Sequence, residues 1–118
     1  MTRINALDVI IRRCNIKIKI PQKIKVGGHY VRTFYEAKLL DNHGKYAQSR
    51  FPELEIAVQE RDMTESMKTQ SWIHEVLHFI DKAYNNYSLS EETIDAFASG
   101  LHGLLVDMGI EFDWSNIK

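Results

Sequence analysis

Residues 71–81 read Ser-Trp-Ile-His-Glu-Val-Leu-His-Phe-Ile-Asp and belong to a stretch whose apolar residues recur at helical spacing. This period predicts an amphipathic helix from Thr64 to Tyr84. Residues four apart on a helix share a face, so His74 and His78 are expected to lie side by side. The H-E-x-x-H spacing therefore predicts two imidazole ligands for one metal ion, with Glu75 next to them.

The chemistry that this motif implies is metal-assisted hydrolysis. A catalytic zinc keeps three protein ligands and leaves one position open for water. Glu75 is then the candidate general base, since its carboxylate could take a proton from a water at the metal. The motif predicts a Zn²⁺ cofactor and an endopeptidase reaction on a protein or peptide substrate. A chance H-E-x-x-H is the alternative, but a second predicted helix after a short turn favours a real metal site.

The third ligand is expected from that second helix. Asn85-Asn86 interrupts the first helix, and Ser88-Leu-Ser-Glu91 predicts a capping box in which Ser88 is the N-cap. Gly109 is the predicted stop. The expected buried face consists of apolar or small residues at helical spacing: Ile94, Phe97, Ala98, Leu101, Leu105 and Met108.

Helical geometry narrows the candidates for the third ligand. At about 100° per residue, Glu91, Asp95 and His102 lie along one edge of the buried face, whereas Glu92 points to solvent. An antiparallel helix meets His78 within its first two turns, so Glu91 and Asp95 fit better than His102. Glu91 could instead serve only as part of the helix cap.

Several other polar residues are candidates for supporting roles. Asp81 lies on the same helical face as His78 and could orient an imidazole, pair with a lysine or bind the metal itself. The first role is favoured, because metal-bound histidines commonly donate their second N–H to a carboxylate. Tyr84, Tyr87 and His102 are candidate oxyanion stabilisers by position alone.

The residues before the first long helix predict β-structure. Alternating apolar and polar residues indicate strands at 16–20, 23–26, 30–35, 46–50 and 53–58, with a hairpin turn at Gly27-Gly28, a second turn at 41–44 and a short helix over 5–13. The predicted class is α+β, in which an N-terminal antiparallel β-sheet is followed by two packed helices in a single domain over residues 1–118. We expect substrate to lie along the edge of the last strand.

Composition excludes several kinds of protein. Cys14 is the single cysteine, which excludes an internal disulfide and a cysteine-based zinc site and fits a cytoplasmic protein. No apolar run approaches the roughly 20 residues of a membrane span, and no signal peptide is evident. Lys and Arg concentrate in residues 1–50, and Asp and Glu in residues 51–118. Packing of the two oppositely charged parts explains this better than a nucleic-acid surface.

The segment from Ser71 to Met108, with H-E-V-L-H-F-I-D followed by L-S-E-E-T-I-D-A-F-A-S-G-L, resembles short phage and prophage metallopeptidases. These are similar at motif level to the ImmA/IrrE metallopeptidases, whose E-A-N-x-F-A element corresponds to Thr93-Ile-Asp-Ala-Phe-Ala98 here. A threonine thus stands where that element has its ligand glutamate, so either Glu91 or a neighbour takes its place or this alignment does not apply. The resemblance implies a minimal zincin-like fold, zinc, and the cytoplasm of a bacterial host. The Glu91-x-x-x-Asp95 spacing also resembles that of thermolysin-like gluzincins, which implies Glu91 as the third ligand and Asp95 as the residue that orients a ligand histidine.

A second function remains open at the level of sequence. The chain could be a non-catalytic zinc-binding phage or prophage protein that binds a host or phage regulatory partner. A structural zinc usually has four protein ligands, whereas only three strong candidates are present, which favours catalysis. The small size of the chain favours the non-catalytic alternative, because few residues are available to form the walls of a substrate cleft.

Overall fold

A computed structural model describes residues 16–118, so the predicted helix over residues 5–13 and Cys14 lie outside the described residues. Strands come first and two long helices follow, which confirms the α+β class. The elements in chain order are β1 (Ile16–Lys19), β2 (Lys23–Val26), β3 (His29–Tyr35), α1 (Leu39–His43), β4 (Ala47–Arg50), β5 (Glu55–Val58), α2 (Glu65–Tyr84), α3 (Glu91–Asp107) and β6 (Ile110–Asp113).

The main sheet has four strands in the order β2-β3-β5-β4, and β1 pairs separately with β6. The β2–β3 and β4–β5 pairs are antiparallel, but β3–β5 and β1–β6 are parallel. The prediction of an antiparallel sheet is therefore wrong for two of the four pairs. The chain leaves β3 through α1, runs along the outer edge as β4 and turns back, so β5 enters between β3 and β4 in the direction of β3.

Gly27 and Gly28 form the predicted hairpin turn, with φ of 60° and 82°. The Gly27 N–H donates to the Tyr84 hydroxyl at 3.0 Å, and a Cβ at Gly27 would lie 2.8 Å from the Ala83 Cβ. Glycine thus lets this turn rest against the end of α2. The other predicted turn is instead part of α1, which Gly44 ends with φ of 64°.

Helix α2 has the predicted span. Thr64 is its N-cap and accepts a hydrogen bond from the backbone N–H of Met67. The inner face of α2 covers the main sheet around an apolar core: Ile20, Val31, Ala47, Ile56, Val58, Phe79, Trp114 and Ile117. Burying one large aliphatic side chain contributes about 1.5–3 kcal/mol, so this packing determines which face of α2 meets the sheet.

Asp81 closes the connection between α2 and α3. Its carboxylate accepts hydrogen bonds from the backbone N–H groups of Ser88 and Leu89, both at 3.2 Å, and from the Asn85 side-chain amide at 3.0 Å. The N-cap of α3 is Ser90, whose hydroxyl accepts from the backbone N–H three residues later. The prediction of Ser88 as the N-cap is therefore wrong by two residues, because the Asp81 contacts keep Ser88 and Leu89 in the connection.

Helix α3 buries a narrower face than its apolar pattern predicts. Ile94 and Ala98 are buried, whereas Phe97, Leu101 and Met108 of the predicted face are exposed. The apolar residues of α3 therefore extend beyond the surface that α2 covers. Within residues 16–118, none of the helices has the length and hydropathy that crossing a membrane requires.

Candidate metal centre

Two imidazoles meet on the face of α2 that borders β4. His74 and His78 are one helical turn apart, and their Nε2 atoms lie 3.1 Å from each other. Both side chains are mostly buried, with 18% and 11% of their surface exposed. Two ring nitrogens thus face one point, as the four-residue spacing predicts.

Glu91 brings a carboxylate to the same point from the first turn of α3. Its Oε1 atom lies 2.5 Å from the His74 Nε2, and its Oε2 atom lies 3.0 Å from the His78 Nε2. One ligand atom from each of the three residues lies within 4.8 Å of the others, so the cluster could hold a metal ion. Glu91 reaches the histidines because the chain reverses between α2 and α3.

The donor atoms fit a tetrahedral ion with one open position. At ligand distances of about 2.0–2.1 Å, neighbouring donors of a tetrahedron lie about 3.3 Å apart. The two Nε2 atoms lie 3.1 Å apart, and each faces a different Glu91 oxygen at 2.5 or 3.0 Å. These distances are shorter than the tetrahedral spacing, so the side chains must separate slightly to admit an ion. A cation also suits these donors chemically. In a neutral imidazole one of the two ring nitrogens carries no proton, and its lone pair can bind a metal ion. Two imidazoles with one carboxylate are found at both zinc and ferrous sites.

The two histidines differ in what holds their second ring nitrogen. The Asp95 Oδ1 lies 3.4 Å from the His74 Nδ1, which is the side where the predicted orienting carboxylate belongs. The His78 Nδ1 is buried and has no hydrogen-bond partner among the described residues, while its ring stacks on Tyr87. Asp81 does not orient an imidazole as predicted, because both of its carboxylate oxygens are engaged by the α2–α3 connection.

Glu75 is buried next to His74 in α2, and its carboxylate faces β4. The Ser49 hydroxyl donates a hydrogen bond to the Glu75 Oε2 at 2.7 Å. Burial raises the pKa of Glu75 above its ordinary value, and the Ser49 hydrogen bond and the nearby imidazoles partly oppose that rise. A buried carboxylate with a raised pKa is a better proton acceptor than an exposed one.

The cluster opens into a cleft of about 600 Å³ between β4 and the start of α3. Of the three predicted oxyanion candidates, Tyr87 lines this cleft. The Tyr84 hydroxyl is bonded to the Gly27 N–H, and His102 contacts the Gln70 side chain at 3.3 Å. The structure therefore brings Tyr87 to the cleft, whereas Tyr84 and His102 are not among the residues that line it.

Strand β4 is one of the two outer strands of the main sheet, and it borders the cleft. The Gln59 N–H donates to the Tyr46 carbonyl at 2.8 Å, and bonded pairs alternate along an antiparallel ladder. The backbone N–H and C=O groups of Ala47 and Ser49 therefore point away from β5. The last strand that the sequence predicts, residues 53–58, corresponds to β5, which lies between β3 and β4 and has no free edge. The prediction that substrate lies along the edge of this strand is therefore wrong, and β4 is the edge strand beside the cleft.

Ser49 is the site residue that the sequence analysis missed. A serine in a four-residue strand carries no local signal of a contact with a helix 26 residues further along the chain. Its side chain reaches Glu75 only through the pairing of β4 with β5 and the packing of α2 on the sheet.

Comparisons with protein-family models, with curated proteins and with solved structures find no match for this chain. The resemblance to phage metallopeptidases therefore stays a prediction. The functional interpretation rests on the geometry of the cluster, the cleft and the edge strand.

Proposed function

We propose that this protein is a zinc-dependent endopeptidase that hydrolyses peptide bonds with Glu75 as the general base. The observation that supports the proposal best is the buried carboxylate of Glu75 beside the His74, His78 and Glu91 donors, at a cleft bordered by an edge strand. Three protein donors leave a fourth position for water, whereas structural zinc sites use four protein ligands.

Each side chain of the cluster has a definite role in this proposal. When bound, the metal would polarise the scissile carbonyl and make a water more acidic. His74 and His78 would hold it through Nε2, and Glu91 through its carboxylate. Glu75 accepts the proton of the attacking water and can return it to the leaving amine. Tyr87, which lines the cleft, is the candidate hydrogen-bond donor to the developing oxyanion.

An extended peptide is the substrate class that the cleft suits. A peptide strand laid beside β4 would pair with the outward backbone groups of Ala47 and Ser49, as in β-strand addition. This pairing recognises the main chain and is independent of side-chain identity. It would place a substrate carbonyl at the mouth of the cleft, next to the histidines.

Glu75→Gln tests this proposal, because the amide keeps the shape of the side chain but cannot accept a proton. We expect this variant to retain zinc in elemental analysis and to lose peptidase activity by about 10²–10⁴-fold. The matched control is Glu92→Gln, an exposed residue of α3, which should retain both. Full activity of Glu75→Gln would contradict the general-base role.

A wild-type protein that binds one zinc but cleaves nothing in a broad peptide library would contradict the peptidase proposal. It would favour the alternative of a non-catalytic zinc-binding protein that acts through a regulatory partner.

A further inference from the structure

The carboxylate of Glu75 has one described hydrogen-bond partner, and that partner comes from the sheet. The Ser49 Oγ lies 2.7 Å from the Glu75 Oε2 and 3.3 Å from the Glu75 backbone carbonyl oxygen. Ser49 and Glu75 are on β4 and α2, so this contact crosses the interface between the edge strand and the metal-site helix. Glu75 Oε1 has no hydrogen-bond donor among residues 16–118.

We propose that Ser49 is a positioning residue, which holds one oxygen of the Glu75 carboxylate so that the other faces the cleft. The inference rests on the proposed peptidase function, since it assigns Ser49 a role in the use of Glu75 as a base. A glutamate side chain has three rotatable bonds, and a bond from a second element restricts them to one arrangement.

Three observations distinguish this role from simple packing. Glu75 is buried, so without Ser49 its carboxylate would lack the donor that a buried charged group requires. Ser49 is not a member of the His74, His78 and Glu91 cluster, so its loss leaves the metal donors in place. The Ser49 backbone also belongs to the edge that would bind the peptide, so one residue links substrate docking to the base.

The kinetic test compares Ser49→Ala with Ser49→Thr, which keeps a hydroxyl on the same carbon. Supporting residues of this kind typically contribute 10–100-fold to activity, and we expect Ser49→Ala to lower kcat by about that factor. KM and zinc content should stay near the wild-type values, and Ser49→Thr should restore most of kcat. Ser66→Ala is the matched control, since Ser66 is exposed in the first turn of the same helix and lies outside the metal-site cleft.

A double-mutant cycle separates failure of this inference from failure of the peptidase proposal. In the Glu75→Gln background, Ser49→Ala should cause no further loss of activity, because Ser49 acts through Glu75. An equal additional loss in that background, a change confined to KM, or full activity of Ser49→Ala would overturn the positioning role while leaving the peptidase proposal intact. A wild-type protein without peptidase activity would overturn both.

Discussion

Glu91 is the most exposed member of the metal cluster, with 68% of its side-chain surface accessible, compared with 18% for His74. Its two carboxylate oxygens nevertheless lie closest to the histidine nitrogens, at 2.5 and 3.0 Å. Asp95 is 3.4 Å from His74 on the other side of the ring, which is too long for a strong hydrogen bond. This geometry supports the proposal that Glu91 is the third ligand and that Asp95 orients His74 from the other side of the ring.

This arrangement predicts an order of zinc affinities among variants of α3. Glu91→Ala should weaken zinc binding most, because it removes a ligand. Asp95→Ala should weaken it by at most the 10–100-fold typical of an orienting residue, and the exposed Glu92→Ala should have almost no effect. Competition titration against a zinc chelator measures the order. If Asp95→Ala or Glu92→Ala proved more damaging than Glu91→Ala, the assignment of the third ligand would be wrong.

A salt bridge between Arg50 and Glu36 holds the end of β4. The Arg50 Nη2 lies 2.6 Å from the Glu36 Oε2, and this hydrogen bond to Arg50 lowers the pKa of Glu36 below its ordinary value of 4.5. A carboxyl whose pKa is lower in the folded than in the unfolded protein stabilises the fold above pH 4.5, and this contribution is lost as the pH falls through the lowered pKa.

Arg50→Gln should therefore destabilise the protein at neutral pH and much less in acid. The pair is partly exposed, so the expected loss at neutral pH is about 1 kcal/mol or less. Urea unfolding of the metal-free wild-type and variant proteins, at neutral pH and in acid, measures the loss of stability under each condition. The exposed Arg61→Gln is the control. A deficit that stayed constant down to strongly acidic pH would show that the lost packing of Arg50 matters more than its charge.

At the scale of elements, the reversal between α2 and α3 assembles the metal cluster from two helices. Asp81 is buried and binds two backbone N–H groups and one side-chain amide of this connection. Leu89, the last residue it holds, is two positions before Glu91. The placement of Glu91, the proposed third ligand, therefore depends on a carboxylate that makes no contact with the His74, His78 and Glu91 cluster.

Asp81→Asn should lower both stability and zinc affinity. The amide replaces one acceptor oxygen with a donor, so one buried hydrogen bond of the connection is lost, at a cost of about 1–3 kcal/mol. Denaturant unfolding of the metal-free protein measures the first effect and chelator competition the second. Asp62→Asn is the control, because Asp62 is exposed with φ of 61°, a conformation that asparagine tolerates. Unchanged zinc affinity in Asp81→Asn would show that Glu91 reaches the histidines without this contact.

At the scale of the whole molecule, a bound metal would link the two long helices, since His74 and His78 belong to α2 and Glu91 to α3. Unfolding separates these residues and must release the ion. Zinc at 100 times its dissociation constant should therefore raise the free energy of unfolding by about 2.7 kcal/mol. The double variant His74→Ala/His78→Ala should lose this gain. Thermal unfolding with and without zinc provides the measurement, and an equal gain in the double variant would place the ion elsewhere.

Local spacing was enough to predict the parts of the protein that depend on residues close in sequence. The i, i+4 separation brings His74 and His78 together on any helix. The pair Gly27-Gly28 predicts a tight turn whatever surface the hairpin packs against. The juxtaposition of the two imidazoles follows from helix periodicity alone, because the period is a property of the backbone. The helical wheel and the length of the connection leave Glu91 and Asp95 as candidates, and the resemblance of their spacing to that of gluzincins favours Glu91 as the ligand.

Tertiary structure decided the features that depend on residues far apart in sequence. The parallel β3–β5 pair made β4 the edge strand, and the docking of α2 brought Ser49 to Glu75. Asp81 accepts hydrogen bonds from the α2–α3 connection and therefore does not contact the histidines. The same bonds keep Ser88 in the connection, so the N-cap is Ser90. From the local sequence alone, a side chain such as Asp81 could pair equally well with several different partners. The partner it takes is chosen by the packing of the whole fold, because a buried polar group must bond whatever donors the fold brings within reach.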